Sequence, residues 1–297
     1  MASLKDIKLK ITGIKKTEQI TKAMNMVAAA KFRGAQERME EFRPYAGKFS
    51  GVMGQLATRV DPNAFPLMEE RDVKKSMVLV VTSDRGLCGA FNANIISAAE
   101  NFINDKKGEG KEVAVGCIGR KGYQYFSKTD VEVPIEITDC MARIEMVDAR
   151  KAGQECIRLF LDGQLDEIYL LYGRFVNVVT QKPTLKKLIP ISATELSEVE
   201  EETEEEKSGP KAAYIYEPDP EEILNILLPM FVNVQIMAAM LETACSEQAA
   251  RMTAMDNATR ACSDMIHELT LAYNKARQAS ITAELMDIVG GAEALKG

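Results

Sequence analysis

Both ends of the chain carry long heptad patterns, which constrain the possible fold more than any other feature. In the first pattern, alternating steps of three and four residues from Leu4 to Leu56 give sixteen positions, of which thirteen are apolar. The three polar positions lie together: Glu18, Thr21 and Asn25. This pattern predicts a helix over residues 1–59, with a kink or a loosened turn at Pro44.

The same spacing continues from Leu224 to Ala276, where only Gln248 and Thr259 are polar. It predicts a second helix over residues 219–297, with Asp219 near its N-cap and Pro220 at the first helical position. Two matching apolar seams in one chain pair most simply with each other. We therefore expect the terminal helices to form a long antiparallel coiled coil.

The second helix is longer than the first by about 20 residues. Beyond Ala276 its apolar residues leave the seam and spread around the helix, as Ile281, Leu285, Met286 and Ile288 show. A helix that is apolar on most sides requires an enclosing surface. That surface is either a partner protein or the chain's own core, if the end of the helix folds back.

Strand and helix patterns alternate between the terminal helices, over residues 75–217. The predicted strands are 77–82, 111–118, 131–137, 165–176 and 183–191, with helices at 92–105 and 144–161. This order predicts an α/β domain with a central, mostly parallel, Rossmann-like sheet. Pro134 places the third strand near an edge. The glutamate-rich stretch 195–207 reads as a solvated acidic loop.

The residue types exclude most enzyme chemistry. His267 is the only histidine, so a histidine triad or a site with several histidine ligands cannot form within one chain. The six cysteines form no C-x-x-C pair and read as buried, reduced thiols. We therefore predict no catalytic, cofactor-binding or metal-binding residues.

One stretch, "TSDRGLCGAFN" (82–92), lies where parallel sheets bind ligands, directly after the first strand. It contains no phosphate-loop motif, and the glycines of "GCIGRKG" (116–122) have the wrong spacing for a dinucleotide-binding turn. We expect this turn to position the sheet or to contact a partner.

Charge is distributed unevenly along a chain whose net charge is -7. Residues 1–59 contain 12 basic and 5 acidic residues, whereas the run Glu195–Glu206 contains 8 glutamates and no basic residue. The basic segment favours an acidic protein partner, with nucleic acid as the alternative. Charges in the first residues and the lack of a long uninterrupted apolar run predict a cytosolic chain.

Five stretches together resemble one protein family over essentially the whole chain. They are "ITKAMNMVAAAKFRGAQ" (20–36), "SDRGLCGAFN" (83–92), "YEPDPEEIL" (216–224), "SEQAARMTAMDNAT" (246–259) and "LTLAYNKARQASITAELMDIVGGAEAL" (269–295). They resemble the gamma subunit of bacterial F-type ATP synthases. The acidic loop 195–207 is the least typical part.

The resemblance implies a rotating shaft without catalysis of its own. The coiled coil would enter a hexamer of alternating alpha and beta subunits, and the α/β domain would lie against the epsilon subunit and the membrane ring of c subunits. The apolar collar of the hexamer would then enclose the end of the second helix. Membrane association would be indirect, at the cytoplasmic face of the bacterial inner membrane.

Individual residues match contact positions of the family. Arg277, Gln278 and Thr282 match the contact with a beta-subunit loop, and Glu247 and Arg251 match a second polar contact with beta. Three more match the stretch that faces an acidic beta-subunit loop: Lys22, Met24 and Lys31. At the c-ring and epsilon end the matches are Tyr214 and Glu217.

Two other functions compete with the shaft on the residues alone. The middle domain could be a nucleotide-dependent enzyme, or the basic helix could belong to a coiled-coil scaffold or a nucleic-acid binder. Without the resemblance, each of the charged residues above would read as part of a solvated helix face.

Overall fold

The computed structural model describes residues 4–57, 60–61, 64–192 and 219–294. The helices are α1 (Leu4–Ala57), α2 (Phe91–Gly108), α3 (Arg120–Phe126), α4 (Met146–Leu161) and α5 (Pro220–Ala294). The strands are β1 (Lys75–Val81), β2 (Glu112–Ile118), β3 (Glu132–Ile137), β4 (Glu167–Phe175) and β5 (Gln181–Ile189). The chain divides into two compact units, which are described separately: Ala29–Arg251, and Met1–Ala28 with Met252–Gly297.

The two terminal helices follow the predicted heptads. All sixteen seam positions of α1 and all sixteen of α5 are buried or half-buried, whereas most residues between them on the first half of α1 are exposed. α5 begins at Pro220, as predicted, and α1 continues through Pro44. The prediction of two long terminal helices is therefore confirmed.

The helices run antiparallel within each unit. In the smaller unit, Asn25 faces Met252 and Thr21 faces Thr259, so the pairing moves backward along α5 as it moves forward along α1. In the larger unit, the ring of Phe49 stacks on that of Phe231, with centroids 6.4 Å apart. Phe32, earlier on α1, packs with Leu241 and Cys245, later on α5.

The larger unit contains the sheet, with strand order β3-β2-β1-β4-β5. Strands β1 to β4 are parallel, and β5 is antiparallel to β4. The strand that contains Pro134 is at one edge, as predicted, and β5, which contains Pro183, is at the other. The sheet is therefore mostly parallel, as the alternation of strand and helix predicted.

Alternate residues of β1 point into two cores, because side chains of a strand alternate between faces. Met77, Leu79 and Val81 pack in a cluster with α4 and the neighbouring parts of α1 and α5. Val78 and Val80 pack in a second cluster with α2 and α3. The sheet is thus covered on both faces.

The six cysteines are all free and buried, as predicted. Burial raises the pKa of Cys117, Cys140 and Cys156 to about 12. These thiols therefore stay protonated at neutral pH and act as small apolar side chains.

By length and composition, α5 also contains a stretch apolar enough to cross a membrane, with a mean hydropathy of 1.8. This stretch was not predicted from the sequence, because polar residues interrupt its apolar runs. Core helices of globular proteins pass the same test. Much of the first half of α5 packs in the cores described above, so the finding is weak evidence for a membrane span.

Candidate partner-binding surfaces

The covered seam of α5 ends where its partner helix begins. Leu4, the first described residue of α1, lies as many residues before Thr21 as Ala276 lies after Thr259. Continuing the antiparallel pairing therefore brings Leu4 opposite Ala276. Beyond Ala276, Ser280 is half-buried and every other residue up to Ala292 is exposed.

We call residues 277–294 of α5 the tip. Its large apolar residues are accessible, with Leu285 56% exposed and Ile288 68% exposed. The tip continues α5, so the alternative that it folds back as a core helix is wrong. An exposed apolar helix end of this kind indicates a surface that is covered by a partner protein.

The polar residues predicted to contact a beta subunit share this tip. Arg277, Gln278 and Thr282 are exposed. The hydroxyl of Thr282 donates to the backbone carbonyl of Gln278 at 2.9 Å. The Arg277 guanidinium forms no ion pair in the described part of the chain.

The predicted contact residues of α1 differ in exposure. Lys22 and Lys31 are exposed, while Met24 is half-buried. Several apolar residues near Lys22 are also exposed: Ile20, Met26 and Val27. Lys22 and Met26, four residues apart, share one side of α1, whereas Ile20 and Val27 lie on another side.

The structure places Glu247 and Arg251 inside the larger unit, away from solvent. Their side chains are 5% and 10% exposed, and Arg251 Nη2 donates to Glu247 Oε1 at 2.5 Å. The same nitrogen donates to the backbone carbonyl of Gly86 at 3.1 Å. Burial raises the pKa of Glu247, and the Arg251 charge opposes that rise. Tyr214 and Glu217 lie outside the described residues.

Parallel sheets bind ligands at the turn after β1, and here the side chain of Asp84 occupies that place. The Asp84 carboxylate accepts three backbone N–H groups, from Arg120 at 2.9 Å, Asp139 at 3.0 Å and Met141 at 2.9 Å. Arg120 is the first residue of α3, just after β2, and Asp139 and Met141 lie in the loop that follows β3. Asp84 thus occupies the place where a bound anion would otherwise accept hydrogen bonds.

The same turn approaches the β2–α3 connection too closely for a ligand to enter. Thr82 Oγ1 accepts the N–H of Gly122 at 2.8 Å. Gly119 has a φ of +96°, and a Cβ there would lie 2.1 Å from the carbonyl oxygen of Thr82. Only glycine fits this approach. The prediction that the turn positions the sheet is consistent with these contacts.

Within the described residues, no group of three or more His, Cys, Asp or Glu side chains could hold a metal ion. A cavity of about 220 Å³ lies between α1, α5 and β5, with Arg43, Lys186 and Glu242 among its lining residues. These elements define a class of protein that combines an antiparallel helix pair, an α/β sheet and an exposed apolar helix end suited to protein partners.

Comparison with known proteins identifies the family. The family model described as ATP synthase matches residues 3–295. The ATP synthase gamma chain of Nitratidesulfovibrio vulgaris (strain Hildenborough) is 53% identical over 298 residues, and that of Desulfotalea psychrophila is 52% identical over 296 residues, with 100% of both chains covered in each case. The chain belongs to the ATP synthase gamma chain family.

Solved structures share the fold. A chain of the Tetrahymena thermophila mitochondrial ATP synthase central stalk and c ring matches with a TM-score of 0.60 and 22% identity, covering 80% of this chain and 99% of that chain. A chain of the Euglena gracilis mitochondrial ATP synthase matches with a TM-score of 0.67 and 19% identity, covering 98% of this chain and 94% of that chain.

Proposed function

We propose that this chain is the central rotating shaft of an F-type ATP synthase. It transmits torque between the membrane ring of c subunits and the hexamer of alternating alpha and beta subunits, and so couples proton flow to ATP synthesis or hydrolysis. It catalyses no reaction itself. Its place is peripheral, at the cytoplasmic face of the bacterial inner membrane, where the epsilon subunit is a further partner.

The observation that carries this proposal is the full-length match, at 53% identity, to a gamma chain. The exposed tip of α5 gives it physical support. An apolar helix end that the chain itself leaves uncovered requires a sleeve, and the hexamer would supply one. Because the tip carries Ala, Met and aliphatic side chains rather than interlocking aromatic rings, it could turn without falling into deep bound states.

We assign the beta-subunit contacts to the exposed polar residues. Arg277, Gln278 and Thr282 would meet one loop of a beta subunit. Lys22 and Lys31, with Met24, would face an acidic beta-subunit loop, since exposed ammonium groups steer association with acidic surfaces. Tyr214 and Glu217 would lie at the c-ring and epsilon end.

Glu247 and Arg251 have a weaker claim to a beta contact. Their resemblance to contact positions supports it, but their charges already satisfy each other and the carbonyl of Gly86. An additional partner could reach only the small exposed fraction of each side chain. Their contacts favour a function within the chain.

Co-purification tests the proposal. We expect the full chain, co-expressed with alpha and beta subunits of a related bacterium, to form a complex that hydrolyses ATP. A chain that ends at Ala276 should assemble in lower yield and support slower hydrolysis, because it lacks the apolar tip. Absence of a complex with alpha and beta subunits would refute the shaft.

The isolated chain separates the alternatives. We expect it neither to bind nor to hydrolyse ATP, because Asp84 fills the sheet's ligand-binding place. ATP turnover by the isolated chain would instead support the enzyme. Salt-sensitive retention of DNA by the isolated chain would support the nucleic-acid binder.

A further inference from the structure

Gly173, near the end of β4, has both of its backbone polar groups bonded to side chains of α5. Its N–H donates to Thr243 Oγ1 at 3.3 Å, and Ser246 Oγ donates to its carbonyl at 2.8 Å. Thr243 and Ser246 are fully buried. Three residues apart on a helix, the two hydroxyls lie on one face of α5.

The sheet leaves these two groups of Gly173 without a strand partner. On one side, the pairing of β4 with β1 ends at Leu171, opposite Val80. On the other side, Gly173 is opposite Pro183, which has no N–H to donate to the Gly173 carbonyl. The Gly173 N–H points to Thr243 instead of β5. Buried backbone groups must be paired, so the two α5 hydroxyls replace the missing strand.

The position also favours glycine, because a larger residue would displace the ring of Phe91. A Cβ at Gly173 would lie 2.6 Å from Cε2 of Phe91, on the neighbouring helix α2. The chain therefore packs α2 closely against Gly173 while α5 takes both of its hydrogen bonds. These two hydrogen bonds hold α5 at a defined position on the sheet, in addition to the apolar packing between α5 and the sheet.

A second attachment lies farther along α5. Arg251 reaches the carbonyl of Gly86 in the β1–α2 turn, and Glu247, one helical turn earlier, holds the guanidinium in place. Thr243, Ser246, Glu247 and Arg251 recur at helical spacing on a buried face. We call these four residues the polar clasp.

Resting on the proposed function, we infer that the polar clasp fixes the angle of the sheet about α5, so that the sheet and the helix turn together. The hydrophobic effect is non-directional and by itself favours no particular angle between helix and sheet. A hydrogen bond weakens steeply when its angle changes, so bonds to fixed backbone groups resist rotation. The four are positioning residues for torque transfer.

The test uses the assembled complex in sealed vesicles, with Thr243→Val and Ser246→Ala combined. Valine keeps the shape of threonine without its hydroxyl. We expect ATP hydrolysis to continue while fewer protons are pumped per ATP, and the angular fluctuation of the c ring against the hexamer to widen. Removing two buried hydrogen bonds should also speed amide exchange at Gly173 by about tenfold or more.

Thr243→Ser is the matched control, because it keeps the hydroxyl. As a single change in the native chain, it should leave the exchange rate at Gly173, the number of protons pumped per ATP and the angular fluctuation at their native values. If the double variant does not assemble, Ser246→Ala alone provides the same comparison with a single bond removed.

The outcomes are distinct. Faster exchange at Gly173 with unchanged pumping and unchanged angular width would overturn the clasp as a torque element and leave only a stabilising contact. In that case, normal proton pumping by the native complex would still support the proposed shaft function. If the native chain joins no alpha and beta subunits, the shaft itself is wrong, and the clasp as a torque element falls with it.

Discussion

The side-chain amide of Asn25 donates to the backbone carbonyl of Met252 at 2.9 Å, across the seam between α1 and α5. Nearby, the hydroxyls of Thr21 and Thr259 lie 2.8 Å apart. These polar contacts interrupt a mostly apolar seam. Single polar residues of this kind fix the register of coiled coils at a cost in stability.

We therefore expect Asn25→Leu to raise the free energy of unfolding by about 1 kcal/mol, since it exchanges a polar seam residue for an apolar one. Thermal unfolding of the isolated chain measures this, and assembly should remain intact. Gln19→Leu, on the exposed side of α1, should leave the melting temperature nearly unchanged. A lower melting temperature for Asn25→Leu would contradict the register hypothesis.

Asp84→Ala should lower the free energy of unfolding by about 2–4 kcal/mol, because the N–H groups of Arg120, Asp139 and Met141 lose a charged acceptor. Added sodium formate should restore part of the loss, since a small carboxylate can enter the vacated place. Denaturant titration with formate, and with sodium chloride at equal ionic strength, measures this rescue.

Asp130→Ala is the control for that experiment, because Asp130 is exposed and accepts no such set of bonds. Its stability should change by less than about 0.5 kcal/mol, with or without formate. Equal recovery of Asp84→Ala in formate and chloride would show that the carboxylate is not held as a specific anion.

Two glutamates, the buried Glu167 and the half-buried Glu242, should respond oppositely to pH. Burial raises the pKa of Glu167, but hydrogen bonds from Lys106, Ser76 and Tyr169 outweigh it, so the net pKa lies below the ordinary value. Burial raises the pKa of Glu242, and its Oε2 has no hydrogen-bond partner among the described residues. The first carboxylate stabilises the fold when ionised, whereas the second destabilises it.

Glu167→Gln should therefore cost about 3 kcal/mol at pH 7, because it leaves the Lys106 ammonium buried without its partner. Glu242→Gln should instead stabilise the chain at pH 7. The destabilisation by Glu167→Gln should vanish as the pH falls below the lowered pKa of Glu167. The stabilisation by Glu242→Gln should vanish as the pH falls below 4.5, the ordinary pKa of a glutamate. Denaturant titrations across pH check both; a destabilised Glu242→Gln chain at pH 7 would contradict the second sign.

Leu285→Glu tests the exposed tip. Leu285 is exposed, so the substitution should change the free energy of unfolding of the isolated chain by less than about 0.5 kcal/mol. Assembly with alpha and beta subunits should fall, since a charge would enter an apolar sleeve. Asp287→Asn, on the same exposed turns, should leave both measurements unchanged. Normal yield and hydrolysis with Leu285→Glu would argue against enclosure of the tip.

The heptad count predicted the seam at the level of single residues, because a repeat of 3.5 residues determines which side chains face the partner helix. It also located the end of the covered seam at Ala276. Pro134 identified an edge strand for an equally local reason, since it has no N–H for a ladder. Such features follow from periodicity or from one residue's chemistry.

The bonds of Asp84 could not be predicted in the same way. Its donors are 36 to 57 residues away along the chain and converge only when the parallel strands align. For Glu247 and Arg251, the sequence predicted a contact with a beta subunit. The bond from Arg251 to the carbonyl of Gly86 could not be predicted, because the two residues are 165 positions apart in the chain. A heptad count considers one buried face, whereas residues 239–251 are buried or half-buried on all sides.

The three bonds of Asp84 also restrict how the chain can change in length. One extra residue between Ile137 and Met141 would carry the N–H of Asp139 or of Met141 away from the carboxylate. The turns at the opposite end of the strands, such as 127–131, bear none of these bonds. A loop that grows at 127–131 therefore leaves the Asp84 junction intact.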